Sequence, residues 1–456
     1  MTTVSPSLDD SLEILRDADR MAPYMQDASG EAADQPPAQV ARPRNTEEVA
    51  AFLRHCHEQG RPVCIQGGLT GLAGGAVPGR NEAVLTLERM NQVLDFDPVG
   101  GTVRVQAGMV LQALCDYVQE RGWYFPMDLG ARGSCQIGGN VATNAGGNRV
   151  LRYGTMRELV LGLEAVLADG IVLSMLNRGL KNNTGLDLKH LFIGTEGTLG
   201  VITQVVLRLF PLPQRRYSAL LALEDFPSVV ALLHRARGAL AELSSFEVMW
   251  QDYLQAAAQR LDCRAPFDAA HPVYVLLEME GRDRPESEAL LEQFLGECLE
   301  AGVAVDAILP QSQEQAAQLW RLRDAIGEIL SGMKPYVAFD VGIPLEHTDA
   351  FVRDIRQALS EAYPQARHLF FGHLGDGNLH LSTGPHAPDD LLAVEEKVYQ
   401  AVQAVGGSIS AEHGIGRIKK PFLHYSRNAV ERDRMRAILQ LLDPQQILNP
   451  GRVLDR

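Results

Sequence analysis

The sequence predicts an α+β protein with two or three domains, and three observations support that fold class. The chain has 456 residues, more than a single hydrophobic core usually holds. Its first half sets short apolar strands beside glycine-dense loops, whereas its second half repeats a strand–helix–strand rhythm. Hydrophobic residues make up 46% and charged residues 22% of the chain, a balance typical of folded domains.

Charge and cysteine content exclude several functional classes. The chain carries 42 Lys and Arg against 57 Asp and Glu, a net charge of −15, so it has no bulk electrostatic basis for binding nucleic acid or an anionic membrane. No apolar run approaches the roughly 18–20 residues of a membrane span. Acidic residues within positions 1–20 argue against a secretory or transit peptide, and we therefore predict a cytoplasmic protein. The cysteines lie far apart and predict neither disulfides nor a thiolate metal site.

Turn and capping signals divide the first half into elements. Residues 1–37 are predicted to be a helical lead-in, and Asn45 with Glu48 has the spacing of a helix capping box. Asp169-Gly170 lies between two apolar runs and predicts a type I′ hairpin. The remaining predicted elements are a helix to about residue 59 and strands at 62–65, 84–87, 163–168, 171–174 and 201–210, followed by a proline-rich junction at 211–213.

The second half predicts two consecutive strand–helix–strand units, a pattern typical of a ferredoxin-like antiparallel sheet with helices on one face. The units are a strand at 218–223, a helix at 227–240 and a strand at 245–249, then a strand at 273–279, a helix at 286–301 and a strand at 303–309. Beyond them we predict a helix at 314–331, a strand at 337–341, a helix at 348–363, a strand–turn–strand around Asp376-Gly377 and a helix at 388–405.

The first glycine-dense loop, residues 66–75, reads QGGLTGLAGG. Closely spaced glycines can turn backbone N–H groups to one side and let the main chain approach a diphosphate. The loop is not a Rossmann fingerprint, because a strand rather than a helix follows it, and no Gly-Lys-Ser/Thr of a P-loop ends it. From this loop alone, a ligand cradle and a flexible connection between strands are equally open.

The second loop favours the ligand cradle. Residues 128–147, DLGARGSCQIGGNVATNAGG, are too long and too polar for a simple turn. They mix glycine with Ser, Thr and Asn, whose side chains supply donors and acceptors for a diphosphate and a ribityl chain. Residues 194–203 add a third surface of the same kind before the strand that closes this half.

These three loops, with KNNTGLDLK at 181–189 and ILNPG at 447–451, resemble the vanillyl-alcohol-oxidase (PCMH-type) flavoproteins. Within that group the chain is similar, from about residue 40 onward, to D-2-hydroxyglutarate dehydrogenases and the related D-lactate and glycolate dehydrogenases. The resemblance implies a PCMH-type FAD-binding domain at 38–213 after the lead-in at 1–37. It also implies a ferredoxin-like substrate and metal (cap) domain at 214–420 and a C-terminal helical segment at 421–456 that returns to the FAD domain.

The resemblance implies non-covalent FAD, since relatives that link the flavin covalently often use a His in the first loop, where this chain has Leu69. The residues expected to bind FAD are Gln66, Gly67, Gly68, Leu69, Thr70, Gly71, Gly74, Gly75, Asp128, Leu129, Gly133, Ser134, Gly138, Gly139, Asn140, Thr143, Asn144, Gly146, Gly147, Glu196, Gly197, Gly200, Val201, Ile202 and Asn449.

The second half carries FGHLGDGNLHL at 371–381, in which His373 and His380 flank the Asp-Gly turn. Two imidazoles so placed, with a distant carboxylate such as Glu412, would make a His₂–carboxylate metal site. From spacing alone, two hydrogen-bonded core histidines are a slightly better interpretation. The resemblance implies the metal site: His373, His380 and Glu412 hold one divalent metal, usually zinc, and His413 is the catalytic base.

In the implied reaction, metal and base activate the C2 hydroxyl of a D-2-hydroxy acid while the C2 hydride passes to the flavin N5. Arg323 matches a position where relatives bind the substrate carboxylate, and Lys334 and Asn378 are further expected substrate contacts. Arg321, in contrast, is predicted to be a solvated helix residue.

Three positions depart from the pattern of the D-2-hydroxyglutarate dehydrogenases. Those relatives have Thr, Lys and Asn at the positions that hold Gly327, Ala338 and Ser382 here. The replacements weaken the binding of a second carboxylate on the substrate. The pocket therefore either prefers D-lactate or a longer monocarboxylate, or takes Lys334 from a different angle. Both alternatives stay open.

The resemblance implies that an electron-transfer flavoprotein, a quinone or another carrier reoxidises the flavin, and homodimers are common among relatives. One alternative is an oxygen-using oxidase of the same fold, and another is a non-catalytic flavin subunit of a glycolate-dehydrogenase-like complex. The presence of His373, His380, Glu412 and His413 argues against the second. We therefore predict an FAD- and metal-dependent D-2-hydroxy acid dehydrogenase.

Overall fold

The computed structural model describes residues 12–455, which form two compact units. The first unit comprises residues 12–147, 154–212 and 412–455, and the second comprises residues 148–153 and 213–411. The chain thus returns to the first unit at Glu412, upstream of residue 421, where we predicted the C-terminal segment to begin. Within residues 12–455, no helix combines the length and the apolar character that crossing a bilayer requires.

The first unit contains three sheets. Its elements are β1 (Glu13–Leu15), α1 (Ala18–Met21), β2 (Val40–Arg42), α2 (Thr46–Glu58), β3 (Val63–Gln66), β4 (Ala83–Thr86), β5 (Val93–Asp97), β6 (Thr102–Gln106), α3 (Leu111–Gln119), β7 (Trp123–Tyr124), α4 (Ile137–Ala142), α6 (Met156–Leu159), β8 (Val160–Val166), β9 (Val172–Met175), β10 (Val201–Arg208), β11 (Phe210–Pro211) and α14 (Ala429–Leu442). The strand orders are β1-β2-β4-β3, β5-β6-β10-β8-β9 and β11-β7. The parallel pair β3–β4 flanks the first glycine loop.

Helix α2 confirms the predicted helix and its Asn45 N-cap, but the complete capping box is not formed. The Asn45 side chain accepts the N–H of Glu48 at 2.8 Å, whereas the Glu48 carboxylate accepts from Arg44 N at 2.8 Å. Val49, Phe52 and Leu53 are buried on one side of the helix, as their spacing requires. The polar face therefore stays outside while the apolar face packs inward.

The described part of the lead-in differs from the predicted helix. Residues 1–11 lie outside the described residues, and residues 12–37 begin with strand β1, which pairs antiparallel with β2 through Glu13↔Arg42. Helix α1 has a single turn, after which Pro23 follows in a 3₁₀ turn. Pairing with a neighbouring strand overrides local helix propensity here, because Leu15 enters a core that also contains Val40 and Val84.

The predicted hairpin at Asp169-Gly170 exists, but its turn is of another type. Strands β8 and β9 pair antiparallel, and Leu167 N donates to Ile171 O at 2.9 Å across a three-residue loop. Only Gly170 takes a positive φ, of 81°, in this loop. That pattern is typical of a type I turn followed by a left-handed residue, whereas type I′ needs two left-handed residues.

The second unit has one large antiparallel sheet. Its elements are α5 (Val150–Tyr153), β12 (Arg215–Leu223), α7 (Phe226–Ala239), β13 (Leu243–Trp250), α8 (Gln251–Arg260), β14 (Val273–Gly281), α9 (Pro285–Glu300), β15 (Asp306–Ile308), α10 (Gln313–Arg323), α11 (Ile326–Leu330), β16 (Val337–Gly342), α12 (Thr348–Ala362), β17 (Arg367–His373), β18 (Asn378–Gly384) and α13 (Leu391–Ala404). The strand order is β15-β12-β14-β13-β17-β18-β16. Its first four strands have the ferredoxin-like arrangement that the sequence predicted.

Helices cover both faces of this sheet rather than the single face we predicted. One core joins Leu221 of β12 to helices α7 and α9, and a second core joins Leu220, its neighbour in the strand, to helices α8, α10 and α11. Strands β12, β13 and β14 are buried along almost their whole length. A strand buried on both faces lacks the polar–apolar alternation that would reveal a single covered face.

The helix predicted at 314–331 is broken in two. Helix α10 ends at Arg323, and α11 begins at Ile326. The Arg323 carbonyl accepts a hydrogen bond from the Tyr253 hydroxyl at 2.5 Å. A tertiary contact therefore marks this helix end, and the local sequence gives no sign of it.

Candidate active site

A cavity of about 400 Å³ in the first unit brings the three glycine loops together with the C-terminal segment. We call it the glycine-loop cavity. The predicted FAD-binding residues that line it are Gln66, Gly67, Gly68, Leu69, Thr70, Gly71, Gly75, Leu129, Gly138, Gly139, Asn140, Thr143, Gly146, Glu196, Gly197, Gly200, Ile202 and Asn449. Those outside its lining are Gly74, Asp128, Gly133, Ser134, Asn144, Gly147 and Val201.

Close backbone contacts beneath the cavity explain several glycines. A Cβ on Gly68 would lie 2.1 Å from the Ser134 carbonyl oxygen, and one on Gly147 would lie 2.3 Å from that of Asp128. Two of the predicted residues outside the lining therefore supply the backbone against which the loops pack. Only glycine permits this approach, which brings the main chains of different loops together.

Three residues without the freedom of glycine adopt a left-handed backbone at the cavity. Leu69, Glu196 and Asn449 have φ values of 57°, 53° and 41°. Hydrogen bonds hold Asn449 in this conformation: its Oδ1 accepts from Ile65 N at 2.8 Å and its Nδ2 donates to Glu196 O at 2.7 Å. Such strain concentrates at ligand sites, where the surrounding structure maintains it.

Three buried amide oxygens of cavity residues have no hydrogen-bond partner within the described chain: Gln66 Oε1, Gln136 Oε1 and Asn140 Oδ1. Gln66 is fixed in place because its Nε2 donates to Tyr24 O at 2.8 Å and to Ala76 O at 2.7 Å. Buried acceptors are costly unless a donor satisfies them. The cavity therefore fits FAD, whose ring N–H and ribityl hydroxyl groups are donors and whose diphosphate needs a close main chain.

Glu196 fastens the C-terminal segment to this cavity. Its carboxylate accepts the backbone N–H groups of Ile415 at 2.6 Å and Gly416 at 2.8 Å. Burial raises the pKa of Glu196, although these two donors oppose that shift. Glu412 and His413, just before the fastened residues, belong to the cavity lining.

In the second unit, His373 and His380 lie on one face of the sheet. His373 pairs with Asn378 across the turn, and His380 stands two residues beyond Asn378 on the same strand, so their side chains share a face. The two rings are 5.4 Å apart between centroids and nearly perpendicular, and their possible ligand nitrogens lie within 4.8 Å of each other. We call this surface, with Glu247 and Asn378, the histidine face.

Arg323 and Glu247 form a buried ion pair behind His373. Glu247 Oε2 accepts from Arg323 Nε at 2.8 Å, and Glu247 Oε1 lies 2.9 Å from His373 Nδ1. Burial favours the neutral carboxyl, but His373 and Arg323 hold the pKa of Glu247 below its usual value. Burial alone would lower the pKa of Arg323, yet the Glu247 charge raises it instead.

The other predicted substrate contacts occupy different settings. Asn378 is only 4% exposed, and neither polar atom of its side chain has a partner within the described chain. Lys334 is exposed and precedes a cis proline, and Arg321 is exposed as predicted. Ala338 and Ser382 are direct cross-strand partners, which places two of the departures from the family pattern at one point of the sheet.

Two family models together match most of the chain. An FAD-binding domain profile matches residues 37–175, and the profile of the C-terminal domain of FAD-linked oxidases matches residues 212–453. The chain is 45% identical over 419 residues to the mitochondrial D-2-hydroxyglutarate dehydrogenase of Bos taurus, over 91% of this chain and 76% of that protein. The chain belongs to the FAD-dependent D-2-hydroxy acid dehydrogenases. The predicted family and FAD cofactor are confirmed.

Bacterial dehydrogenases of this family resemble the chain over almost its whole length. It is 42% identical to the D-2-hydroxyglutarate dehydrogenase of Xanthomonas citri pv. viticola, over 92% of this chain and 89% of that one. It is 37% identical to that of Stutzerimonas stutzeri, over 97% and 96%.

Solved structures confirm the PCMH-type fold class. A p-cresol methylhydroxylase superposes with a TM-score of 0.77 at 17% identity, over 98% of this chain and 94% of that one. An alkyldihydroxyacetonephosphate synthase gives a TM-score of 0.74 at 17% identity, over 98% and 84%. At this identity the likeness establishes the shared fold.

Three residues of this dehydrogenase were not among the predicted site residues. Gln136 lies in the second loop but is neither glycine nor a small polar residue. Glu247 stands in an apolar strand, where a lone carboxylate is the signal that could have found it. Arg452, only 2% exposed, binds the Glu82 carboxylate with Nη1 at 2.5 Å and Nη2 at 2.8 Å. It follows the ILNPG motif directly, and its partner is far away in the sequence.

Proposed function

We propose that this dehydrogenase oxidises D-2-hydroxyglutarate, or a related D-2-hydroxy acid, to the 2-oxo acid with the help of a divalent metal. The observation that carries the proposal is the lining of the glycine-loop cavity, where Glu412 and His413 accompany the predicted FAD-binding residues. When bound, FAD supplies the acceptor for the C2 hydride, and the metal supplies positive charge beside the substrate hydroxyl.

His373, His380 and Glu412 are the proposed metal ligands. Their nitrogen and carboxylate donors suit zinc and other first-row divalent metals. Ala411, the last residue of the second unit, donates its N–H to Asp340 O at 3.2 Å, and Asp340 is the strand partner of His380. Glu412 directly follows Ala411 in the chain, and this supports its assignment as the third metal ligand.

His413 is the proposed general base. A neutral imidazole can take the hydroxyl proton at its unprotonated ring nitrogen as the hydride leaves C2, which leaves a carbonyl at C2. The adjacent Glu412 is assigned to the metal, so the two neighbours have different tasks. The hydrogen bonds from Ile415 N and Gly416 N to the Glu196 carboxylate support this role, because they fix the backbone just after His413.

Two substrate classes are open. The names of the relatives favour a second carboxylate on the substrate, as in D-2-hydroxyglutarate. The pairing of Ala338 with Ser382 leaves no charged group at that point of the sheet and favours a monocarboxylate such as D-lactate. Asn378, whose buried amide has no partner within the described chain, is the proposed neutral contact in either case.

The proposal is tested by anaerobic addition of D-2-hydroxyglutarate, then D-lactate, to the flavin-bound, zinc-loaded protein. We expect the flavin absorbance to bleach with at least one acid and a chelator to abolish the bleaching. A flavin that neither acid bleaches would contradict the proposed reaction. Bleaching that survives complete metal removal would contradict the metal alone.

We further propose that an electron-transfer flavoprotein or a quinone reoxidises the flavin, in a cytoplasmic protein that forms homodimers. Oxygen uptake during turnover, as fast as reduction of an artificial acceptor, would instead indicate the oxidase alternative. Mass measurement in solution tests the homodimer.

A further inference from the structure

Glu247 is a buried carboxylate outside the proposed catalytic groups. It lies in β13, directly paired with His373 of β17, and is 1% exposed. Both carboxylate oxygens lie 2.9 Å from His373 Nδ1. Oε2 also accepts from Arg323 Nε at 2.8 Å and lies 2.7 Å from Arg323 Nη2. A single carboxylate therefore joins a proposed metal ligand to a proposed substrate residue.

The contacts of His373 indicate which ring nitrogen carries the proton. An ionised carboxylate can only accept, so the 2.9 Å contact with Glu247 requires a proton on Nδ1. Arg323 Nη2 lies 3.2 Å from both Nδ1 and Nε2. A hydrogen bond to a ring nitrogen lies in the ring plane, along the direction in which that nitrogen points outward. An atom equally distant from both nitrogens lies along neither direction, so Arg323 does not determine the tautomer.

We propose that Glu247 is a positioning residue that holds His373 in the tautomer and orientation presenting Nε2 to the metal. Carboxylates behind ligating imidazoles commonly have this effect, because they fix the ring and strengthen the remaining nitrogen as a ligand. Arg323 is the opposite charge that pairs with this buried carboxylate. The proposal rests on the metal site of the proposed function.

The test measures zinc affinity of flavin-bound protein, stripped of metal and titrated with zinc against a chromogenic chelator. Glu247→Leu removes the acceptor and is expected to raise the zinc Kd about 10- to 100-fold. Glu247→Gln keeps an amide oxygen that can accept from Nδ1–H, so it should retain more of the affinity than Glu247→Leu. Flavin absorbance checks that each variant is folded, and Glu247→Gln keeps the test decisive if Glu247→Leu does not fold.

Glu278→Gln is the matched control. Glu278 lies on the neighbouring strand, is 3% exposed, and its carboxylate contacts Arg149 and Trp320. Its zinc Kd should equal that of the wild type. An unchanged Kd in both Glu247 variants, or an equal loss in Glu278→Gln, would overturn the positioning role. If His380→Ala also left the Kd unchanged, the metal site itself would be refuted, and the two failures are thus distinguishable.

Discussion

The glycine-loop cavity is built mainly from backbone, whereas the histidine face is built from charged side chains. In the cavity, glycines such as Gly68 let main chains meet, and amide side chains line it together with Glu412 and His413. On the histidine face, Glu247, Arg323 and His373 compensate one another in a buried cluster. A backbone site is sensitive to added atoms, and a side-chain site is sensitive to lost charges.

The largest expected effect concerns His413, the imidazole in the backbone-built cavity. His413→Asn should slow flavin reduction by about 10²- to 10⁴-fold, because the hydroxyl proton loses its acceptor. Anaerobic stopped-flow absorbance at saturating D-2-hydroxy acid measures the rate. Flavin and zinc contents should match the wild type, which separates chemistry from binding. A rate close to that of the wild type would remove His413 from the role of base.

Arg452 tests whether the cavity depends on backbone alone. Its guanidinium pairs with Glu82 and donates to the Val77 carbonyl at 2.6 Å, in the loop that lines the cavity. Arg452→Met leaves Glu82 buried without a counter-charge and should lower the free energy of unfolding by about 3–5 kcal/mol. Urea unfolding followed by fluorescence measures the change. Arg436→Ala breaks an exposed pair with Asp433 and should cost less than about 1 kcal/mol; equal effects would contradict the importance of burial.

Gly68→Ala tests the intolerance of the cavity to added atoms. The new Cβ would overlap the Ser134 carbonyl oxygen, so the loops must separate. We expect a loss of about 1–3 kcal/mol in unfolding free energy and weaker flavin binding, measured by urea unfolding and flavin titration. Gly133→Ala is the control, because no heavy atom of residues 12–455 other than its own and its chain neighbours' lies within 4 Å of its Cβ position. Flavin affinity equal to that of Gly133→Ala would refute the close-approach explanation.

The smallest expected effect concerns His368, which lies at the opposite end of strand β17 from His373. Burial, then His386 and Arg356, lower the pKa of His368 from 6.5 to about 4. The unfolded chain therefore binds a proton between these pH values that the folded chain does not. The contribution of His368 to the free energy of unfolding is therefore fully present above pH 6.5 and is lost as the pH drops toward 4.

Between pH 7.5 and 5 we expect His368 to account for about 1 kcal/mol of lost stability, after allowance for solvent screening. His368→Gln should flatten the pH dependence of the unfolding free energy. The same slope in wild type and His368→Gln would show that another group is responsible.

Much of the backbone-built region could be predicted because its signals are local. The glycine loops are recognisable from their composition and their continuous length. Most of the residues in them that were predicted to bind FAD line one cavity. The Asn45 cap and the ferredoxin-like strand pattern were also predicted from the sequence, because capping and periodicity involve residues close together in the chain. The hairpin at Gly170 was found, but its turn type depends on the exact loop length.

The side-chain-built region was harder because its partners are far apart in sequence. Glu247 is separated from His373 by 126 residues and from Arg323 by 76. Arg452 and Glu82 are separated by 370 residues. No periodic pattern in the sequence links residues so far apart. A carboxylate within an apolar strand suggests a buried charge, but it does not indicate which residue pairs with it. The second covered face of the sheet was missed for the related reason that double burial erases alternation.

The sequence by itself determined the family, the flavin, the two strand–helix–strand units of the second half and the histidine motif, because each depends on residues close together in the chain. The tertiary structure decided which carboxylate lies behind His373, which arginine is its counter-charge, and that the segment returning to the first unit begins at Glu412. The physical reason is that buried charges and orphaned amides acquire their roles from neighbours that only folding supplies.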